Sequence, residues 1–165
     1  MWGMFTVPVK VLFVCLGNIC RSPTAHGVFE EKVRQAGLQQ HIVVDSAGTG
    51  DWHVGHAPDG RTAAVALERG YDLSTLRARQ VLRDDFTQFH YVLAMDNKNL
   101  ADLRRLKPSA FNGHLGLFLD FHSTAKVREV PDPYYGGADG FDTVFDLVED
   151  AAQGLLDHLR QAHGF

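Results

Sequence analysis

Apolar residues fall along this chain in two alternating rhythms. The stretch "VKVLFVC" at residues 9–15 is an almost unbroken apolar run, the mark of a strand buried on both faces. Directly after it, Ala25, Val28, Phe29, Val33 and Ala36 recur at helical spacing, and Gly37 is placed to end that helix. Ser22 reads as its N-cap, with Pro23 at the first helical position. The rhythm then repeats. "HIVVDSAGTG" predicts a short strand and a glycine-rich loop, and "APDGRTAAVALERGY" a helix closed near Gly70. "YVLAMD" predicts a third strand, and Asp96 caps a helix over "NKNLADLRRL" that Pro108 ends. "HLGLFLDF" predicts a fourth strand. After a loop rich in Pro, Gly and Asp, a last helix begins near Phe141, with Val144, Phe145, Val148, Ala152, Leu155 and Leu159 on one side.

Strands alternating with helices imply an α/β fold, a parallel sheet covered on both faces through right-handed crossovers. No repeat, linker or low-complexity tract divides the 165 residues, so one domain is expected. Residues 9–165 form that domain, and residues 1–8 are an N-terminal extension with no assigned role. In such sheets ligands bind beyond the carboxyl ends of the strands, where the strand order reverses. Cys15 stands at such an end.

Charge and composition narrow the chemistry. Net charge is −4, which argues against a broad nucleic-acid-binding face, so an anion site must be local. No apolar run approaches the ~20 residues of a membrane span, and no signal peptide is evident. The expectation is a cytoplasmic protein with no nucleic-acid or membrane partner. Two cysteines, Cys15 and Cys20, make no disulfide framework, and the nine histidines show no zinc spacing. No metal or other cofactor is called for.

The chemistry concentrates in "VCLGNICRSP", residues 14–23. Gly17 and Asn18 tolerate positive φ and let the loop curl until its backbone N–H groups converge into an anion-binding nest. The N-terminus of the following helix points its partial positive charge at the same spot, and Arg21 adds two parallel donors. Leu16, Gly17, Asn18, Ile19, Cys20 and Arg21 are thus the candidate phosphate cradle. A thiolate is favoured where a helix N-terminus and a cation meet, so Cys15 is read as an anionic nucleophile aimed at phosphorus. The Ser22 hydroxyl can donate to its sulfur. The Lys and Ser/Thr of a nucleotide P-loop are absent at the required spacing. A thiol at a strand end is most often only packing; the preceding strand, the Gly-Asn pair and the Ser-Pro start of a helix together tilt the reading toward catalysis.

These residues resemble the signature of the low-molecular-weight protein tyrosine phosphatases. "DPYYGG" at 132–137 is similar to that family's acid loop, "VDSAGTGDWHVG" at 44–55 to another shared segment, and "ARQ" at 78–80 and "YVLAMD" ending at Asp96 also match. The resemblance spans nearly the whole chain from Val9. It implies a single-domain three-layer sandwich with a four-stranded parallel sheet of flavodoxin-like order 2-1-3-4. It implies Cys15 as nucleophile, Arg21 as phosphate and transition-state binder, and Asp132 as general acid. Asn18 would shape the loop, with Ser46 in support. An acid is useful because a phenolate, with pKa about 10, leaves poorly without a proton.

Trp52, Tyr134 and Tyr135 are candidate cleft walls, which would stack on a phenyl ring and make the pocket too deep for phosphoserine. Cys20 is either packing or a reserve thiol that captures oxidised Cys15 as a disulfide; the resemblance favours the second. The implied partners are phosphotyrosine proteins or peptides, with inorganic phosphate or other oxyanions as product or inhibitor. Leu76-Arg77 stands where many members carry His before "ARQ", and His53 occupies a variable position, so both bear on specificity. Arsenate reductases share the loop but need further cysteines. Protein-arginine phosphatases favour Thr where this chain has Ile19, and a non-catalytic phosphotyrosine-binding or redox-sensing module would not need the Cys15, Arg21 and Asp132 set.

Overall fold

The computed structural model describes residues 7–124, 126–134, 136–137 and 139–165. Four parallel strands form one sheet: β1 (Val9–Cys15), β2 (Ile42–Gly48), β3 (Tyr91–Ala94) and β4 (His114–Leu117), in the order β2-β1-β3-β4. The alternating rhythm implied the parallel α/β sheet, and the family resemblance its flavodoxin-like order; both are observed. The helices are α1 (Arg21–Gln35), α2 (Gly60–Glu68), α3 (Asp85–Gln88), α4 (Asn97–Leu106) and α5 (Asp139–His163).

β1 is central, and its parity sorts the core into two layers. Val11, Phe13 and Cys15 face a cluster built with Val28, Phe29 and Val33 of α1 and Phe145, Val148 and Leu155 of α5. Leu12 and Val14 face the opposite side, with Phe86, Leu100 and Leu103 of α3 and α4. A two-residue period inside a continuous apolar run is what burial on both faces requires. Phe13 meets Phe29 and Phe118 edge-on, with centroids 5.7 and 4.9 Å apart; truncating it to alanine would cost about 3–5 kcal/mol.

Three elements differ from expectation. α1 starts at Arg21 with Cys20 as N-cap and no side-chain cap, because the Ser22 hydroxyl is used elsewhere. β4 stops at Leu117, and Phe118–Phe121 wind into a 3-10 turn that buries Phe118 and Leu119. The short helix α3 was not expected. Gly37 and Asp96 act as read: Gly37 has φ 72° just past α1, and the Asp96 carboxylate accepts from the Asn99 N–H to cap α4. No described helix is long and apolar enough to cross a membrane.

Because α1 carries the chain from β1 to β2 on one side and β3 lies on the other, the end of β1 is the switch point of the sheet. Cys15 occupies it.

Candidate active site

The loop after Cys15 is shaped by where its carbonyls go. Cys15 C=O accepts from the Thr49 N–H (2.9 Å), and Leu16 C=O from the Gly50 N–H (2.9 Å). Ile19 C=O accepts from the Asp59 N–H (2.9 Å), and Cys20 C=O from the Thr24 N–H and hydroxyl (3.2 and 2.7 Å). In a trans peptide the N–H points opposite to the C=O. Tethering these carbonyls outward therefore turns the N–H groups of Leu16, Gly17, Cys20 and Arg21 toward the concave side, a nest for an anion. No acidic residue stands in the first turn of α1, so the positive end of its dipole is not offset there.

Asn18 holds the curl. It alone among the described non-glycine residues has positive φ, 57°. Its N–H lies 3.3 Å from Cys15 Sγ, its Nδ2 donates to Ser22 Oγ (2.8 Å), and its Oδ1 accepts from the Arg79 N–H (3.0 Å). Gly17 does not use positive φ; a Cβ there would sit 2.9 Å from His53 Cδ2, so its smallness admits the imidazole. A Cβ on Gly48 would come within 2.7 Å of Leu16 C=O, so the close approach of β2 to the loop also requires glycine.

Cys15 Sγ lies buried at the base of the nest, 3.0 Å from Ser22 Oγ. Ser22 Oγ accepts from Asn18 Nδ2, and its single hydrogen lies between two acceptors, the sulfur at 3.0 Å and Ala47 C=O at 3.4 Å. Arg21 is 3% exposed. Its Nη1 donates to Asp96 Oδ2 (2.7 Å) and to Val130 C=O (3.1 Å), which leaves Nε and Nη2 as the outward fork. Asp132 Oδ2 lies 3.6 Å from Nη2. Burial alone would lower the Arg21 pKa, but the charges of Cys15, Asp96 and Asp132 and the hydrogen bond it donates to Asp96 raise it above the ordinary arginine value.

A cavity of about 470 Å³ opens over the sulfur. Leu16, Gly17, Ile19, Cys20 and Arg21 form its floor with Cys15, and Trp52, His53, Asp132 and Tyr134 its rim. Trp52 is 67% exposed, the posture of a wall rather than of core. The expected cleft residues thus converge, except Tyr135, which lies outside the described residues, as do residues 1–6 of the extension. Asn18, Ser22 and Ser46 stand behind the loop, buried. Ser46 Oγ pairs with His26 Nδ1 (3.0 Å), and the Arg79 N–H serves Asn18 instead. Leu76 packs against the core, and Arg77 bonds the Ser74 and Leu76 carbonyls, away from Asn18. Burial, then the neighbouring Asp59 and Cys15 charges, push the Cys20 thiol up to about 12.

Four contributors escaped the sequence reading: Gly48, Asp59, Arg79 and Asp96 as the carboxylate on Arg21. Arg79 lies in "ARQ", a segment that only the family resemblance marked. It braces the site from outside through Asp45 and Asp85, 3.0 and 3.1 Å away. Chemically, the arrangement offers a concave set of N–H donors and a guanidinium in front of a buried sulfur, room for a tetrahedral oxyanion, with one carboxyl group at the rim.

The family model described as low molecular weight phosphotyrosine protein phosphatase matches residues 10–163. The chain is 44% identical over 152 residues to the low molecular weight phosphotyrosine protein phosphatase of Schizosaccharomyces pombe, covering 92% of this chain and 97% of that one. A crystal structure of protein tyrosine phosphatase from Entamoeba histolytica, with Hepes in the active site, matches with a TM-score of 0.90 and 41% identity over 94% of this chain and 99% of that one. A Drosophila arginine phosphatase structure matches with a TM-score of 0.86 at 30% identity, over 92% of this chain and 98% of that one.

Proposed function

This chain belongs to the low molecular weight phosphotyrosine protein phosphatases, phosphoric monoester hydrolases, and from that premise we propose that it hydrolyses phosphotyrosine in proteins or peptides through a phosphocysteine on Cys15. The observation that carries the reading is the buried Cys15 sulfur, 3.0 Å from Ser22 Oγ, beneath a loop whose carbonyls are tethered outward. In this reading the phosphoryl group enters the nest and the Arg21 fork. The Cys15 thiolate attacks phosphorus in line with the aryl oxygen, and Asp132 delivers a proton to that oxygen as the P–O bond breaks. Each well-placed donor to the spectator oxygens contributes about 3 kcal/mol in the transition state. Water then attacks the phosphocysteine, Asp132 takes its proton, and Ser22 donates to the departing sulfur. Sulfur supplies the nucleophile, so the scheme has no step for a metal.

Ile19 on the floor and Trp52 and Tyr134 at the rim favour an aryl group. Asn18, backed by Arg79, and Ser46, backed by His26, keep the loop in shape. The same reading takes residues 9–165 as one phosphatase domain acting in the cytoplasm, where reduced thiols persist, and residues 1–8 as an extension. Cys20 is its reserve thiol: once peroxide converts Cys15 to a sulfenic acid, Cys20 displaces water to give a disulfide. Peroxide inactivation should then be reversed by thiols, and Cys20→Ser should recover less activity; equal recovery would leave Cys20 as packing.

The test of function is a panel of phosphotyrosine, phosphoarginine and phosphoserine peptides assayed with EDTA. Phosphotyrosine should be turned over fastest, with no loss to the chelator. Preference for phosphoarginine would select the arginine phosphatase reading, and loss of activity in EDTA would contradict the sulfur mechanism.

A further inference from the structure

The segment that carries Asp132 is tied to the phosphate cradle through a side chain outside the cavity. Arg61, in the first turn of α2, grips Asp59 with its Nε (3.2 Å) and Nη2 (3.0 Å). Asp59 is itself fixed twice: its N–H donates to Ile19 C=O in the cradle, and its carboxylate accepts from the Arg61 and Thr62 N–H groups as the cap of α2. From this base the guanidinium reaches across. Its carbon lies 5.3 Å from the Tyr134 ring centroid and 4.8 Å from that of Phe141, and Nη2 donates to Tyr134 C=O (3.3 Å). Phe141 is buried against Ile19, Cys20 and Ala78, so one face of the latch is part of the cradle's own packing. The Tyr134 N–H in turn donates to Asp132 Oδ1 (3.0 Å). A continuous path therefore runs from Ile19 through Asp59, Arg61 and Tyr134 to the Asp132 carboxyl.

We propose that Arg61 is a positioning residue for the leaving-group proton, latching the Asp132 segment to the phosphate cradle. The inference rests on Asp132 being the general acid. Only a planar guanidinium meets every demand of the position. It forks onto a carboxylate, lies over aromatic faces and still donates to a carbonyl, where a lysine ammonium would keep the charge and lose the fork. The Tyr134 N–H holds Oδ1, which turns Oδ2 toward the cradle, 3.6 Å from Arg21 Nη2. Loss of the latch misplaces the acid without touching the nest.

The test compares kcat/KM, which reports the steps through cysteine phosphorylation, for phenyl phosphate and for p-nitrophenyl phosphate, whose leaving group is far more acidic. The ratio of the two does not depend on the fraction of enzyme that is folded. Arg61→Gln should lower kcat/KM about tenfold on phenyl phosphate and less than about threefold on p-nitrophenyl phosphate. Arg61→Lys should recover part of the difference. Inhibition by inorganic phosphate should stay within about twofold, and adding Arg61→Gln to Asp132→Asn should cost less than about twofold. An equal loss on both substrates, or the same loss in the Asp132→Asn background, would reduce Arg61 to a structural residue of α2. If Asp132→Asn itself shows no dependence on the leaving group, the acid assignment falls and the latch with it. If Asp132→Asn discriminates and Arg61→Gln does not, the latch alone is overturned.

Discussion

The cradle and the segment bearing Asp132 face each other across one cavity and are built in opposite ways. In the cradle, Cys15, Asn18, Arg21 and Ser22 are almost wholly buried, and the carbonyls of Cys15, Leu16, Ile19 and Cys20 are all paired. Across the gap, Asp132, Gly136 and Gly137 are exposed, and among the described residues of the segment only Val130 and Pro133 are buried. The difference follows from what each does. Dipoles that stabilise a transition state serve best when fixed beforehand, since reorienting them during reaction costs free energy. An acid that must protonate a departing oxygen and then admit water needs solvent and room. Burial is spent where orientation matters, and the mobile proton is handled at the edge through a few directed contacts.

Substitutions in the two regions should therefore fail differently. The largest effect is expected from Cys15→Ser, which removes the nucleophile: turnover should fall by at least about four orders of magnitude. Inorganic phosphate should still bind, because the amides and Arg21 remain; calorimetric titration reads this, and lost binding would mean that the sulfur holds the nest together. Asp132→Asn should lower kcat/KM for phenyl phosphate by about 10²–10³. Its unfolding midpoint should match the parent, as expected of an exposed side chain.

Asn18→Ala reverses that pattern. It leaves the Arg79 N–H without its acceptor, removes the donor to Ser22 Oγ and puts alanine at φ 57°, so urea unfolding should show a loss of about 2–4 kcal/mol. Activity should fall on good and poor leaving groups alike. Equal stability of the Asn18 and Asp132 variants would erase the contrast between the regions.

The contrast also shows in pH, with no effect below about pH 9. The Cys20 thiol titrates near 12 in the fold against an ordinary value of 9.0. Between those values the folded chain keeps a proton that the unfolded chain has released, so stability should fall as pH rises from about 9. Tyr71, raised from 10.0 to about 12 by burial and by Glu149, steepens the fall above about 10. Urea unfolding across that range checks this, and Cys20→Ser should flatten the lower part of the slope.

How far the chain is legible also divides along this line. β1, its loop and the start of α1 are contiguous, and there an apolar run, two turn-tolerant residues and a Ser-Pro step spell out a strand, a curl and a helix. The tethers are not contiguous. Gly48, Asp59, Arg79 and Asp96 act on the loop from separate elements, and nothing local in "DSAG" or "PDGR" shows which carbonyl they meet. Ser22 misled for a physical reason: it has the chemistry of a cap, but its oxygen accepts from Asn18 Nδ2 and faces the Cys15 sulfur instead of the helix N–H groups. "HLGLFLDF" is apolar enough for eight residues of strand, yet an apolar run does not distinguish a buried strand from a buried 3-10 turn. The four residues of α3 are too few to display a period.

The central claim is that phosphorus passes through the Cys15 sulfur. Rapid acid quench of the enzyme with a phosphotyrosine peptide, followed by mass spectrometry, tests it most directly. The account predicts one phosphoryl group on the peptide containing Cys15 within the first turnover. A quenched enzyme with that cysteine unmodified during turnover would contradict it.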